Sequence, residues 1–128
     1  MCKRLMKIRQ KVADLIKIHN IEYVIMEDIQ MDNAKTNNVQ TFKILAEVFG
    51  VIAELLEELN IPNSAVLAVS WRSSLGIKGK LRPEQKKNAQ IYIENKYGIK
   101  PTEDEADAAC IGTYYTLKGK ASESFDWS

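Results

Sequence analysis

Three carboxylates in this sequence stand where acids can do chemistry. Glu27 ends the apolar run Tyr23-Val24-Ile25-Met26, which places it at the carboxyl end of a predicted strand. Sheets of α/β proteins build their sites at that end. Asp104 and Asp107 are three residues apart within Thr102 to Gly112, a spacing that sets both on one helical face. Ala108, Ala109 and Gly112 behind them are small and let such a helix lie close to a sheet. A strand Glu and two helix Asp converging on one point make a hard-oxygen site for Mg²⁺ or Mn²⁺. Two such ions suit in-line phosphodiester hydrolysis. Alone, the Asp pair reads better as ordinary acids at a helix start, where the dipole favours them. Glu27 shifts the balance toward a site.

Basic residues complement these acids. Residues 71–100 carry Arg72, Lys78, Lys80, Arg82, Lys86, Lys87, Lys96 and Lys100 against Glu84 and Glu94, a net charge of +6. A basic stretch beside a carboxylate site suits a phosphate backbone. A solvated helix face explains Lys96 and Lys100 well, and explains Trp71-Arg72 and Lys78-Gly79-Lys80 less well. The candidate nucleic-acid contacts are therefore Arg72, Lys78, Lys80, Arg82, Lys86 and Lys87. Lys78-Gly79-Lys80 is not a phosphate loop of the Walker type, since Ser74 replaces its first Gly and Leu81 its Ser/Thr. Trp71 reads as a loop anchor by packing more than as a ring stacked on a base, Cys110 as a small packing residue and His19 as a surface or capping residue. Gln30 and Met31 read equally as loop residues or nucleic-acid contacts.

The elements that must position these groups follow from periodicity. Leu5, Ile8, Val12, Leu15 and His19 define one face of a helix over residues 2–19, with six basic residues and one acid, Asp14, on its other faces. Tyr23 to Met26 lacks polar alternation and predicts a strand buried on both faces. The polar stretch 28–38 predicts a loop. A helix over 39–59 shows two apolar stripes, Phe42 to Leu59 and Ile44 to Leu55, a wide surface that suits two packing partners. Gly50 within it suggests close approach of another backbone. Ala65 to Val69 predicts a second buried strand, and Ser70 to Pro83 a loop. A helix over 83–97 starts on Pro83. The last helix opens on Thr102 with Glu105 three residues on, a capping box, and runs to about Leu117. The expected domain is 1–117, followed by a polar tail over 118–128.

The 128 residues fit one compact domain, and 45% hydrophobic with 27% charged residues excludes a wholly disordered chain. A net charge of +1 excludes a uniformly basic coat but not a basic face. Two cysteines and one histidine are too few for a structural zinc site and suit a reducing cytoplasm. No transmembrane segment or signal peptide is expected.

The order of motifs resembles the RuvC-like Holliday junction resolvases, especially phage and Firmicute types. Tyr23 to Gln30 is similar to their catalytic-Glu strand, Phe42 to Val51 to the long helix after it, Ser70 to Ile77 to a Trp-Arg loop, and Asp104 to Gly112 to the C-terminal catalytic helix. The resemblance covers about residues 3–117. It implies an α/β, RNase H-like three-layer fold, a homodimer formed through helix 39–59, divalent metal, and action on four-way DNA junctions. Glu27, Asp104 and Asp107 match three of the family's four acids. The family opens with a strand bearing its first catalytic Asp, then two more strands. Nothing here matches them, and the first Asp is Asp14, inside the N-terminal helix. The resemblance thus implies a chain missing three strands and one acid, with weak or no cleavage. The competing readings are a catalytically dead branched-DNA-binding module, an RNase H-like nuclease of other specificity, and a structural α/β dimer.

Overall fold

The computed structural model describes residues 2–29 and 39–121. The elements are helix α1 (Cys2–Ile18), strand β1 (Val24–Glu27), helix α2 (Val39–Glu58), strand β2 (Asn63–Val66), and helices α3 (Ala68–Leu75), α4 (Arg82–Tyr97) and α5 (Glu103–Ala121). The architecture is mostly helical with one small parallel sheet of β1 beside β2. Two compact units divide the chain: Met1–Val24 with Asp28–Ser64, and Ile25–Glu27 with Ala65–Ser128.

In the first unit α1 packs along α2. Ile16, Leu55 and Leu56 are its buried apolar side chains. Arg9 spans the two helices, its Nε donating to Glu54 Oε1 at 3.1 Å and its second nitrogen to Glu58 Oε2 at 2.9 Å. Those carboxylates hold the guanidinium above its ordinary pKa. Both helices stop on an asparagine in the left-handed region, Asn20 (φ 51°) and Asn60 (φ 57°). The next amide then closes the helix, Ile21 N–H on Ile16 O and Ile61 N–H on Leu56 O, the capping that a left-handed residue allows.

The second unit has a continuous apolar core. Val66 of β2, Trp71 of α3, Ile77, Ala89 and Ile93 of α4, and Ala106, Cys110, Ile111 and Tyr114 of α5 are buried in it, with Ile25 of β1 packed against them. Helix α5 lies against both α3 and α4.

Several sequence-based expectations are corrected here. Val24, Ile25 and Met26 are only half-buried, not covered on both faces, because β1 has a single strand neighbour among the described residues. The second strand ends at Val66, so Ala68 and Val69 belong to α3, and part of the expected loop 70–83 is helical. The spacing Ala68, Trp71, Leu75 is a helical signal, and Gly76 (φ 72°) is its left-handed terminator. Within the chain itself nothing approaches Gly50, where a Cβ would meet no atom within 4 Å. The last helix continues past Leu117 to Ala121. Most of the expected loop, including Gln30 and Met31, and residues 122–128 lie outside the described residues.

Candidate functional site

The candidate acids and bases all fall in the second unit. Helix α5 is set by the capping box read from the sequence. Thr102 N–H donates to Glu105 Oε1 at 2.9 Å, and Glu105 N–H to Thr102 Oγ1 at 3.2 Å, which satisfies two donors that a helix start otherwise leaves open. From that start Ala106 and Cys110 are fully buried. Their burial fixes the azimuth of Asp107, which is half-buried, whereas Asp104 one turn earlier is exposed.

Trp71 is the largest fully buried side chain. Its indole Nε1–H donates to Glu27 Oε1 at 3.1 Å. The exposed Glu27 at the end of β1 is thus tied to the core by a residue whose rotamer packing fixes. The sequence offers Trp71 as a loop anchor or a base-stacking ring, and neither reading contains this positioning role. Asp107 Oδ2 is met by Lys86 Nζ of α4 at 3.2 Å, with 17% of the lysine and 21% of the aspartate side chain exposed. Lys86 is therefore spent in part on an internal ion pair.

The oxygen chemistry of these acids suits a hard cation, but their arrangement does not form a site for one. Glu27 and Asp107 each face a nitrogen donor. Among the described residues no three His, Cys, Asp or Glu side chains gather as a metal-binding group.

The other basic candidates sit on a pinned loop and the start of α4. Lys78, Lys80, Arg82 and Lys87 are exposed. Asn88 Nδ2 donates to Lys78 O at 2.6 Å, and Gln85 Nε2 to Gly79 O at 3.0 Å, so the loop backbone is held on the first turns of α4. Gly79 (φ 148°) has no room for a side chain, since a Cβ would sit 3.0 Å from Gln85 N. The half-buried Arg72 places its guanidinium 5.2 Å from the Trp71 ring centroid. Leu81 caps α4 in extended conformation and Pro83 follows in the first turn, where its missing N–H costs nothing.

Cys110, one turn after the half-buried Asp107 on α5, is fully buried. Burial first, and the charge of Asp107 second, push its thiol from 9.0 up to about 11. A pKa raised by folding gives stability that is complete below the unfolded value and is lost as pH rises through the folded one. Stability is therefore expected to fall between pH 9.0 and about 11, and Cys110→Ala to flatten that fall in urea melts taken across the range. An unchanged slope in the variant would contradict the assignment.

The chain superposes on the structure of RuvC from Thermus thermophilus with a TM-score of 0.68, over 91% of this chain and 70% of that one, at 16% sequence identity. Identity so low carries the fold and nothing finer. No family model and no curated protein matches the sequence. Among the described residues no helix is long and apolar enough to cross a membrane.

Proposed function

We propose that this protein is a RuvC-like crossover junction endodeoxyribonuclease with an RNase H-like α/β fold, acting on four-way DNA junctions in the cytoplasm. The observation that carries the reading is the RuvC-like fold at a TM-score of 0.68. In the same compact unit lie Glu27 at the strand end and the α5 acids Asp104 and Asp107. Those three are the proposed catalytic acids. Trp71 positions Glu27, and Lys86 holds Asp107. Lys78, Lys80, Arg82 and Lys87 are exposed and free to meet phosphates, and Arg72 and Lys86 complete the proposed DNA contacts. The homodimer would form through α2, whose Phe42, Phe49 and Ile52 are only half-buried and whose Leu45 is exposed. Mg²⁺ or Mn²⁺ is the cofactor the resemblance implies, and the described carboxylates do not by themselves form its site.

A second reading has an observation of its own. The Lys86–Asp107 ion pair satisfies an acid that a nuclease would keep for its cofactor, which favours a junction-binding module that does not cleave.

The test is incubation with an end-labelled four-way junction in Mg²⁺ or Mn²⁺. The nuclease reading predicts paired symmetric nicks. It also predicts that Glu27→Gln and Asp107→Asn each lower nicking by about 10²-fold, the scale for losing one charged group at a reacting centre, with binding retained. Binding without nicks leaves the second reading in place. Absence of both sinks the two together.

A further inference from the structure

We infer that the outer face of α1 is a nucleic-acid-backbone contact in its own right, in the first unit and independent of the acids and bases of the second. Lys3, Arg4, Lys7 and Lys11 are exposed. At 3.6 residues per turn they fall within an arc of about 100° and extend about 12 Å along the helix. Lys3, Lys7 and Lys11 make one slowly winding row on a rigid element, with Arg4 beside its start.

The row has no structural task in the described fold. The described ion pairs engage Arg9 and Lys86, and none engages a member of the row. The only acid on α1, Asp14, shares the arc, but its Oδ1 accepts a hydrogen bond from Gln10 Nε2 at 2.8 Å. The chain as a whole carries a net charge of only +1, so this row is a local concentration of charge, not a sample of a basic surface. Four unpaired like charges on one face repel each other. A ligand of opposite charge relieves that repulsion.

The shape of the row selects the ligand. A small anion needs donors that converge on one point, and these diverge along a line. A nucleic-acid strand offers a phosphate about every 3.4 Å of axis, so about 12 Å of helix faces three or four of them. A basic helix lying on a membrane needs a free apolar face. In α1 that face is already used: Leu5, Ile8 and Val12 are half-buried and Ile16 is buried where α1 packs on α2. Of the exposed Met6, Leu15 and Ile18, the last two are neighbours at the end of α1 and Met6 lies on the opposite side of the helix, so no apolar strip runs its length. A phosphate backbone is the polyanion that fits, and the inference stands whether or not the second unit cleaves.

The experiment is a fluorescence-anisotropy titration of labelled linear duplex DNA at several KCl concentrations. It compares the wild-type chain with the variant Lys3→Gln, Arg4→Gln, Lys7→Gln, Lys11→Gln. Glutamine keeps helix propensity close to that of lysine and arginine, and the replaced side chains are exposed, so the fold is preserved; circular dichroism checks it. Each lost phosphate contact lowers the slope of log K against log salt by about 0.9, so a fall of about 2–4 is expected. The charge-preserving variant Lys3→Arg, Lys7→Arg, Lys11→Arg should bind as wild type. A parallel variant, Arg72→Gln, Lys78→Gln, Lys80→Gln, tests the contacts proposed for the second unit, so the two readings fail separately. An unchanged slope in the α1 variant overturns the inference. So does an α1 variant that loses only binding to phosphatidylserine vesicles, or only self-association on gel filtration, while its DNA slope is kept.

Discussion

Trp71→Ala is expected to destabilise the protein by about 3–5 kcal/mol, the range for truncating a buried aromatic side chain. Trp71 has no exposed surface and belongs to the one core that joins Val66, α4 and α5. The same core includes the small residues Ala89, Ala106 and Cys110, which cannot extend into the space an indole leaves. Total stability of a domain is about 5–15 kcal/mol, so the variant would keep little margin. Trp71→Phe separates packing from hydrogen bonding. It keeps most of the apolar area and removes the N–H that Glu27 accepts, so its loss should be clearly smaller while Glu27 is released. Glu27→Gln retains an oxygen acceptor for that N–H and should be near neutral for stability. Urea unfolding followed by circular dichroism measures all three. A loss below about 1 kcal/mol for Trp71→Ala would mean the core is not organised around it.

Lys86→Met should cost about 1–2 kcal/mol, and the double variant Lys86→Met, Asp107→Leu should recover most of it. Breaking a fully buried ion pair costs more, but here both side chains keep about a fifth of their surface, and solvent screens what remains. The single variant strands the Asp107 carboxylate beside the buried Cys110 and Ala106. The double variant replaces both partners by apolar groups, which removes the desolvation penalty along with the attraction. A thermodynamic cycle over the four proteins isolates the coupling. A coupling near zero would make the contact incidental. It would also remove the observation favouring a module that binds without cutting.

The helices were legible because each carries its own signal. The apolar spacing of α1, the double stripe of α2, Pro83 in α4 and the Thr102–Glu105 box of α5 are local patterns, and local patterns specify helices well. The α3 helix was missed because Ala65 to Val69 is a continuous apolar run, and such a run does not distinguish strand from helix. The half-buried state of β1 was misread for a different reason. Burial on both faces depends on how many strands flank a segment, which no residue within it states. Glu27, Asp104 and Asp107 are candidates by type and position alone. Their partners are not found that way, because Trp71 and Lys86 lie 44 and 21 residues away from the acids they meet. Whether these acids act together is a tertiary fact beyond what spacing encodes.

The most direct test of the central claim is a mobility-shift competition. A labelled four-way junction is held with the protein at fixed salt in Mg²⁺ or Mn²⁺, challenged with excess unlabelled linear duplex, and then run on a denaturing gel to read nicks from the same samples. A RuvC-like junction endonuclease keeps the junction complex under competition and leaves symmetric nicks. Equal displacement by duplex and junction, or no salt-sensitive complex at all, would contradict it.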